Sequence, residues 1–443
     1  MKPPRREIAR ALASAFLAGA WERSGLLRRG SDSLAAGGQW LRHLVQDLLA
    51  AFPEAPRDAR DSLSRFVSSH PAFHEAWEAR WIDRTIRRRY VDGPRMRAPR
   101  WPVLKIDDLA ELGTWLGLAD GHLEWFADRR GFQRTTQEQR LWHYRYAWIP
   151  KRSGGARLLE APKGRLKRAQ RKLLDDILAR IPVHPAAHGF QRGRSILTHA
   201  SQHANREVVI RFDLRAFFAD VHPARGFGIF RAAGYPEGVS RTLTALCTNR
   251  TPRAVLAMAK RPTRMEETWA MHHLRHRLSG PHLPQGAPTS PALANLCAYA
   301  LDVRLSALAA SVGARYSRYA DDLTFSGDRL LSAMASRIER KVERIAAEEG
   351  FSLNRKKTRV MPASKRQLVT GLVVNRGPRI PRRAYDALKA TLYNCVRFGP
   401  DSQRRGITAF RAHLEGRVAW TEQVNPARGA KLRRLFQAID WTR

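Results

Sequence analysis

Cysteine is scarce. The 443 residues include three, Cys247, Cys297 and Cys395, far apart and without a CxxC spacing. That excludes a disulfide framework and a cysteine-built zinc site, and it suits a reducing cytosol. No run of 18 apolar residues occurs, so no segment reads as a membrane span. The apolar run at 11–18 behind Arg5, Arg6 and Arg10 imitates the start of a signal peptide. Trp21-Glu22-Arg23 follows where small residues should lead to a cleavage site, so the run reads as an amphipathic helix and the expected location is cytoplasmic. Internal repeats and low-complexity tracts are lacking too. Acidic residues are also few: 40 Asp and Glu stand against 79 Lys and Arg, a formal charge of +39. Such an excess opposes compaction unless something anionic neutralises it, and a Lys or Arg set on a phosphate releases counterions. Nucleic acid is therefore the expected partner. The chain is still 43% hydrophobic, enough for sizeable cores, which excludes a disordered protein.

What is present centres on Arg315-Tyr316-Ser317-Arg318-Tyr319-Ala320-Asp321-Asp322-Leu323-Thr324-Phe325-Ser326-Gly327. Bulky, β-favouring residues flank two carboxylates, which predicts strand, tight turn, strand with Asp321 and Asp322 at or beside the turn. Asp pairs are common in turns because Asp hydrogen-bonds its own backbone. A third carboxylate joining them would change that reading. The candidate is Asp213, at the end of Val208-Val209-Ile210-Arg211-Phe212-Asp213-Leu214, a near-continuous apolar run of the kind buried on both faces of a sheet. An Asp there is costly to bury unless a cation pairs with it. Two adjacent carboxylates repel by about 3 kcal/mol at ~5 Å and an effective dielectric of ~20. Oxygen-only ligands of this kind suit Mg²⁺ or Mn²⁺.

Around this core, residues 1–100 carry helical periodicity broken at Pro53 and Pro56, with a second run over 62–90 ending in Arg84, Arg87, Arg88 and Arg89. That cluster reads equally as a solvated face or an RNA contact. The leucine spacing from Ile106 to Arg130 predicts two short helices joined around Gly117–Gly121; they resemble a helix-turn-helix, but packing alone explains the spacing. Trp142 to Leu159 predicts a hairpin with a basic, Gly-containing turn at Lys151-Arg152-Ser153-Gly154-Gly155. Such a turn can lay cations and amides over a phosphate chain, although a basic hairpin tip is more often simply exposed. A basic helix follows over 163–180. Leu283-Pro284-Gln285-Gly286-Ala287-Pro288-Thr289-Ser290-Pro291 is a rigid loop entering a small-residue helix where backbone can approach a ligand. His272, His273 and His276 lack partners that would make a zinc site and read as surface residues. An amphipathic helix is expected over 331–349, a strand pair over 367–375, and basic helices from Pro381 onward.

In this order and spacing the motifs resemble a reverse transcriptase of the bacterial retron type, from about Trp148 to the C-terminus. Tyr319-Ala320-Asp321-Asp322 resembles the YxDD turn. Phe212-Asp213-Leu214 with Phe217-Phe218 is similar to the strand bearing the other metal-binding Asp, and Pro284-Gln285-Gly286 with Pro288-Thr289-Ser290-Pro291 to the template- and nucleotide-positioning loop. Val369-Thr370-Gly371 matches the retron VTG triplet. His199-Ala200-Ser201-Gln202-His203 lies where retron enzymes carry NAxxH, with His199 in place of the Asn.

The resemblance implies an α+β right-hand polymerase. Residues 1–100 would form a helical extension, 101–140 a small helical segment, 141–380 the fingers and an antiparallel palm, and 381–443 a helical, RNA-binding thumb. It implies two Mg²⁺ ions on Asp213, Leu214, Asp321 and Asp322, with Lys357 protonating or stabilising the leaving group. Arg157, Phe218, Gln285 and Gly286 would contact the incoming dNTP, Phe218 excluding a 2′-hydroxyl. Lys151, Arg152, Arg411, Arg417 and Arg433 would contact RNA. The implied activity is RNA-directed DNA synthesis from a 2′-hydroxyl of a cognate structured non-coding RNA (msr–msd), giving branched msDNA, with a separate effector protein in antiphage defence. The alternatives are a defence-associated or intron-type reverse transcriptase without msDNA, and a non-catalytic RNA-binding scaffold. No Cys/His nuclease pattern favours the intron type, and the scaffold predicts a lost carboxylate where all three stand.

Overall fold

The structure is a computed structural model that describes residues 4–18, 21–34, 36–56, 60–83, 85–88, 90, 96–118, 120–151, 155–259 and 265–442. Two compact units make up the chain, one of residues 1–182 with 218–297, the other of 183–217 with 298–443.

The first unit opens with helices Arg5–Leu17, Arg23–Leu34, Gln39–Ala51, Arg60–Ser69 and Pro71–Glu78. Their apolar positions, among them Ile8, Leu12, Phe16, Leu41, Leu44 and Leu48, recur every three or four residues and close a core of their own. The helical run expected over 62–90 is cut short. Pro71 has no amide hydrogen and starts a new helix at its first position, where His70 Nδ1 accepts the Ala72 amide at 3.2 Å. The chain leaves the helix after Glu78, with Arg80 at φ +57°. Arg84 and Arg89 lie outside the described residues.

Helices Leu109–Leu116 and Asp120–Ala127 follow, the first closed by Gly117 in the left-handed region at φ +67°. Strands β1 (Tyr144–Pro150) and β2 (Ala156–Pro162) form an antiparallel hairpin with Ile149 opposite Arg157. The basic helix after it runs Gly164–Asp176, ending before a 3₁₀ turn at Leu178–Arg180. Trp142, Leu158, Val255 and Leu278 close a core beside the hairpin, and the Trp148 indole donates to the Val255 carbonyl at 3.0 Å.

The second unit holds a four-stranded antiparallel sheet in the order β4-β5-β3-β6, with β3 Val208–Asp213, β4 Arg315–Tyr319, β5 Asp322–Gly327 and β6 Arg359–Pro362. β3 is paired on both edges and buried on both faces, and the burial is what needs the continuous apolar run that its sequence carries. Helices Tyr299–Ala310 and Ala335–Glu348 pack together; a break at Met334 divides the helix expected over 331–349 into two. The small hairpin β7 (Leu368–Val369) and β8 (Leu372–Val373) shares a core with Ala200 and Val209. Helices Arg382–Phe398, Phe410–Val424 and Pro426–Gln437 close a separate cluster around Leu392, Leu414 and Leu432. No single described helix is long and apolar enough to cross a membrane.

Candidate active site

The register of β3 with β5 sets Asp213 opposite Asp322, and the two-residue turn Ala320-Asp321 joins β4 to β5 with Tyr319 opposite Asp322. Asp213, distant in sequence, is thus brought to the end of the sheet that carries the adjacent Asp321 and Asp322. Burial and then the charges of Asp213 and Asp322 push the Asp321 carboxyl up to about 6. The Asp321 carbonyl accepts the Leu214 amide at 2.9 Å, and the Asp213 carbonyl accepts the Asn354 amide at 2.7 Å, which ties the turn to β3 and β3 to the segment leading into Lys357.

Two of these carboxylates each hold a side-chain cation. The Lys357 ammonium donates to Asp213 Oδ2 at 2.8 Å, and Arg211 Nη2 donates to Asp322 Oδ1 at 2.8 Å. Sequence reasoning missed Arg211. The available signal was its place two residues before Asp213, on the same face of an otherwise apolar strand. Among the described residues no three His, Cys, Asp or Glu side chains already converge at metal-holding distances. The donor set nonetheless fits a hard divalent cation. It is all oxygen, burial and then its crowded negative charge raise Asp321, and it already attracts two protein cations.

Gln285 and Gly286 lie against β2 in the first unit, the strand that also carries Arg157. Arg157 is exposed on β2. Three residues on, the Glu160 amide donates to the Gln285 carbonyl at 2.9 Å. Gly286, at φ +131°, lies so close that a Cβ there would stand 3.0 Å from the Glu160 carbonyl oxygen, so only glycine fits. Beneath this junction Glu160 and His282 form an ion pair, each about 1% exposed. Glu160 Oε1 accepts from Asn249 Nδ2 at 2.9 Å and Thr251 Oγ1 at 2.8 Å, while Oε2 faces His282 Nε2 at 2.8 Å. His282 Nδ1 faces the Gly280 carbonyl at 2.9 Å. Both ring nitrogens meet acceptors, so both donate and His282 is an imidazolium. Burial alone would neutralise the two groups, but each holds the other charged: Glu160 is drawn down and His282 up. No local sequence pattern announces this pair.

Phe218 is half-buried in the first unit, its carbonyl accepting the Val221 amide at 3.4 Å. The Lys151 amide donates to the Gly155 carbonyl at 2.9 Å, while Arg152 lies outside the described residues. In the second unit Arg411 is exposed with its guanidinium 5.5 Å from the Trp441 ring, and Arg417 is half-buried. Arg433 is engaged by Glu422 through Nε at 2.9 Å and Nη2 at 2.6 Å, so RNA would have to compete for it. His272, His273 and His276 are exposed. The two retron-like motifs meet: His199 Nδ1 stands 3.4 Å from Thr370 Oγ1. His203 bridges Ser326 Oγ at 2.8 Å and Ser317 Oγ at 2.7 Å, on the two strands flanking the Asp turn. Burial drives His199 down to about 3 and His203 well below its ordinary value, leaving both neutral.

Residues 149–374 match the family described as reverse transcriptase (RNA-dependent DNA polymerase). The chain is 36% identical over 390 residues to the retron Mx65 reverse transcriptase of Myxococcus xanthus, covering 85% of this chain and 84% of that one. It is likewise 36% identical to the retron Mx162 reverse transcriptase of the same organism (80% and 74% covered), and 30% identical to the retron Ec86 reverse transcriptase of Escherichia coli (57% and 70%). The chain belongs to the retron-type reverse transcriptases and is an RNA-directed DNA polymerase.

Proposed function

We propose that this polymerase copies part of a cognate structured non-coding RNA of the msr–msd kind, starting from a 2′-hydroxyl of that RNA and leaving branched msDNA, in a cytoplasmic antiphage system with a separate effector protein. The observation that supports the catalytic part is the register that sets Asp213 opposite Asp322 with Asp321 in the adjoining turn. The order of the motifs and the likeness to retron enzymes support the rest.

In this reading Asp213, Asp321 and Asp322, with the Leu214 carbonyl, hold two Mg²⁺ ions, for which Mn²⁺ can substitute. When bound, the ions would make the primer hydroxyl nucleophilic and neutralise the leaving pyrophosphate. Lys357 and Arg211, which now neutralise Asp213 and Asp322, would yield those oxygens on loading. The Lys357 ammonium, half-exposed, is then free to protonate or stabilise the leaving group. Arg157 binds the triphosphate. Gln285 and Gly286 seat the nucleotide and template, and the Phe218 ring excludes a 2′-hydroxyl. Lys151, Arg152, Arg411, Arg417 and Arg433 contact RNA by charge and shape. The sheet and its flanking segments, 141–380, serve as fingers and palm and 381–443 as thumb; residues 1–100 and 101–140 are helical additions.

The test is to express the chain with its flanking genomic DNA, purify it, and run the bound nucleic acid on a denaturing gel with and without RNase and debranching enzyme. A discrete DNA shortened by both treatments is expected; RNA alone, or unbranched DNA, would overturn the msDNA reading. Asp321→Asn and Asp322→Asn should each lower synthesis by at least ~10³-fold with RNA binding intact. Residual full-rate polymerisation by folded variants would overturn the site assignment.

A further inference from the structure

Among the described residues Arg318 heads the fully buried side chains by volume, and it lies one residue before the tyrosine of the Tyr319-Ala320-Asp321-Asp322 turn. Its partner Asp302, in the helix Tyr299–Ala310, is equally buried. The contact is a two-pronged fork: Arg318 Nε donates to Asp302 Oδ1 at 2.8 Å and Nη2 to Oδ2 at 2.6 Å. Tyr316 also donates its hydroxyl to Asp302 Oδ1 at 2.8 Å, and the guanidinium lies 5.5 Å from the Phe217 ring. The remaining arm points at the turn: Arg318 Nη1 donates to the Ala320 carbonyl at 3.1 Å.

Ala320 needs such a partner. It holds φ at +55°, a left-handed conformation that alanine rarely adopts and that persists only where the surroundings over-determine it. Three restraints do so. Arg318 holds the Ala320 carbonyl and the Leu214 amide holds the Asp321 carbonyl. Gly189 packs so tightly against the turn that a Cβ there would stand 2.6 Å from the Ala320 nitrogen. The glycine and the Leu214 amide are backbone contacts; Arg318 links the turn to the helix Tyr299–Ala310 through its side chain. A buried ion pair is weak ground for stability, because apolar residues of similar volume often serve as well or better, so its use must be sought in what it orients.

We propose that Arg318, held by Asp302, is a positioning residue for polymerisation: it fixes the Ala320-Asp321 turn and thereby the placing of Asp321 and Asp322 against Asp213. The inference rests on the reading of those three carboxylates as the catalytic set. Arg318 touches no substrate. It acts through the backbone, where a displacement of about 1 Å can cost ~10²-fold in rate.

Two variants test it in the full chain with its bound RNA. Arg318→Lys keeps the charge but loses the planar fork, so one ammonium cannot serve both Asp302 oxygens and the Ala320 carbonyl. The triple variant Asp302→Leu, Tyr316→Phe, Arg318→Met replaces the ion pair by apolar groups and is expected to stay folded. In both, kcat should fall by about 30–100-fold and the Mg²⁺ concentration for half-maximal rate should rise, while dNTP KM and RNA affinity stay within about threefold. A purely structural role would lower the amount of active enzyme without moving the Mg²⁺ requirement. Wild-type kcat and Mg²⁺ dependence in either folded variant would overturn the inference. Asp322→Asn, assayed beside them, separates the outcomes: if it also polymerises normally, the carboxylate reading has failed, and if it alone is dead, only the role of Arg318 has.

Discussion

Among the described residues, each unit of this polymerase contains one ion pair with both partners removed from water, and the two differ in kind. Glu160–His282 ties strand β2 to the Gln285 loop in the first unit, and Arg318–Asp302 ties a helix to the Asp turn in the second. Both are fully hydrogen-bonded, as buried charges must be. The arginine keeps its charge at any pH a protein survives, whereas the imidazolium can be discharged. The support beneath the proposed nucleotide contacts is therefore reversible, and the support beneath the carboxylates is permanent.

The largest effects come from breaking either pair on one side. Asp302→Ala leaves a buried guanidinium that cannot be discharged and should cost about 3–5 kcal/mol of stability in denaturant unfolding, whereas Glu160→Ala lets burial discharge His282 and should cost less. The larger loss at pH 7 is expected for Asp302→Ala, and a loss there below ~1 kcal/mol would show that water reaches that pair. Next, the units should differ in kinetics. Phe218→Ala, in the first unit, should raise ribonucleotide incorporation relative to deoxyribonucleotide by at least about tenfold with little change in dNTP kcat; single-nucleotide extension with both substrates measures it. An unchanged ratio would remove Phe218 from sugar selection.

A smaller effect separates the two pairs by pH. His282 is held above its ordinary value, so its contribution is complete below that value and is lost as pH rises through the raised one. Glu160 is held below its ordinary value, so its contribution is present above that value and is lost as pH falls through the lowered one. The groups facing this pair are Tyr146, whose own pKa burial raises, Asn249 and Thr251. On the alkaline side dNTP KM should therefore climb several-fold, about 1 kcal/mol, and His282→Gln should abolish that climb. A KM that stays flat with pH in the wild type would break the comparison. The smallest effect is at Arg433, whose pairing with Glu422 is near the surface. Arg433→Ala should change stability by less than ~1 kcal/mol, yet lower the salt slope of RNA binding by about 1 if the residue meets a phosphate. An unchanged slope would assign Arg433 to Glu422 alone.

Much of the second unit was legible in the chain. The continuous apolar run of β3 told of a strand buried on both faces, and the residues around Asp321-Asp322 told of a hairpin, because both are local consequences of apolar patterning and turn chemistry. Helix ends were less legible. His70 and Pro71 end one helix and begin another within a run whose apolar spacing continues unbroken, since a cap overrides periodicity. The cations on the carboxylates were half visible: Lys357 came from the family resemblance, while Arg211 needed the face of β3 to be known.

The residue order by itself determined the chemistry this protein can perform, because three carboxylates, a strongly basic composition and a glycine-bearing loop are properties of residue types and their spacing. Only the tertiary structure decided what holds those residues in place. Asp302 with Arg318, Glu160 with His282 and His203 with Ser317 and Ser326 are pairings of register and packing between distant segments, and no local pattern selects one distant partner over another.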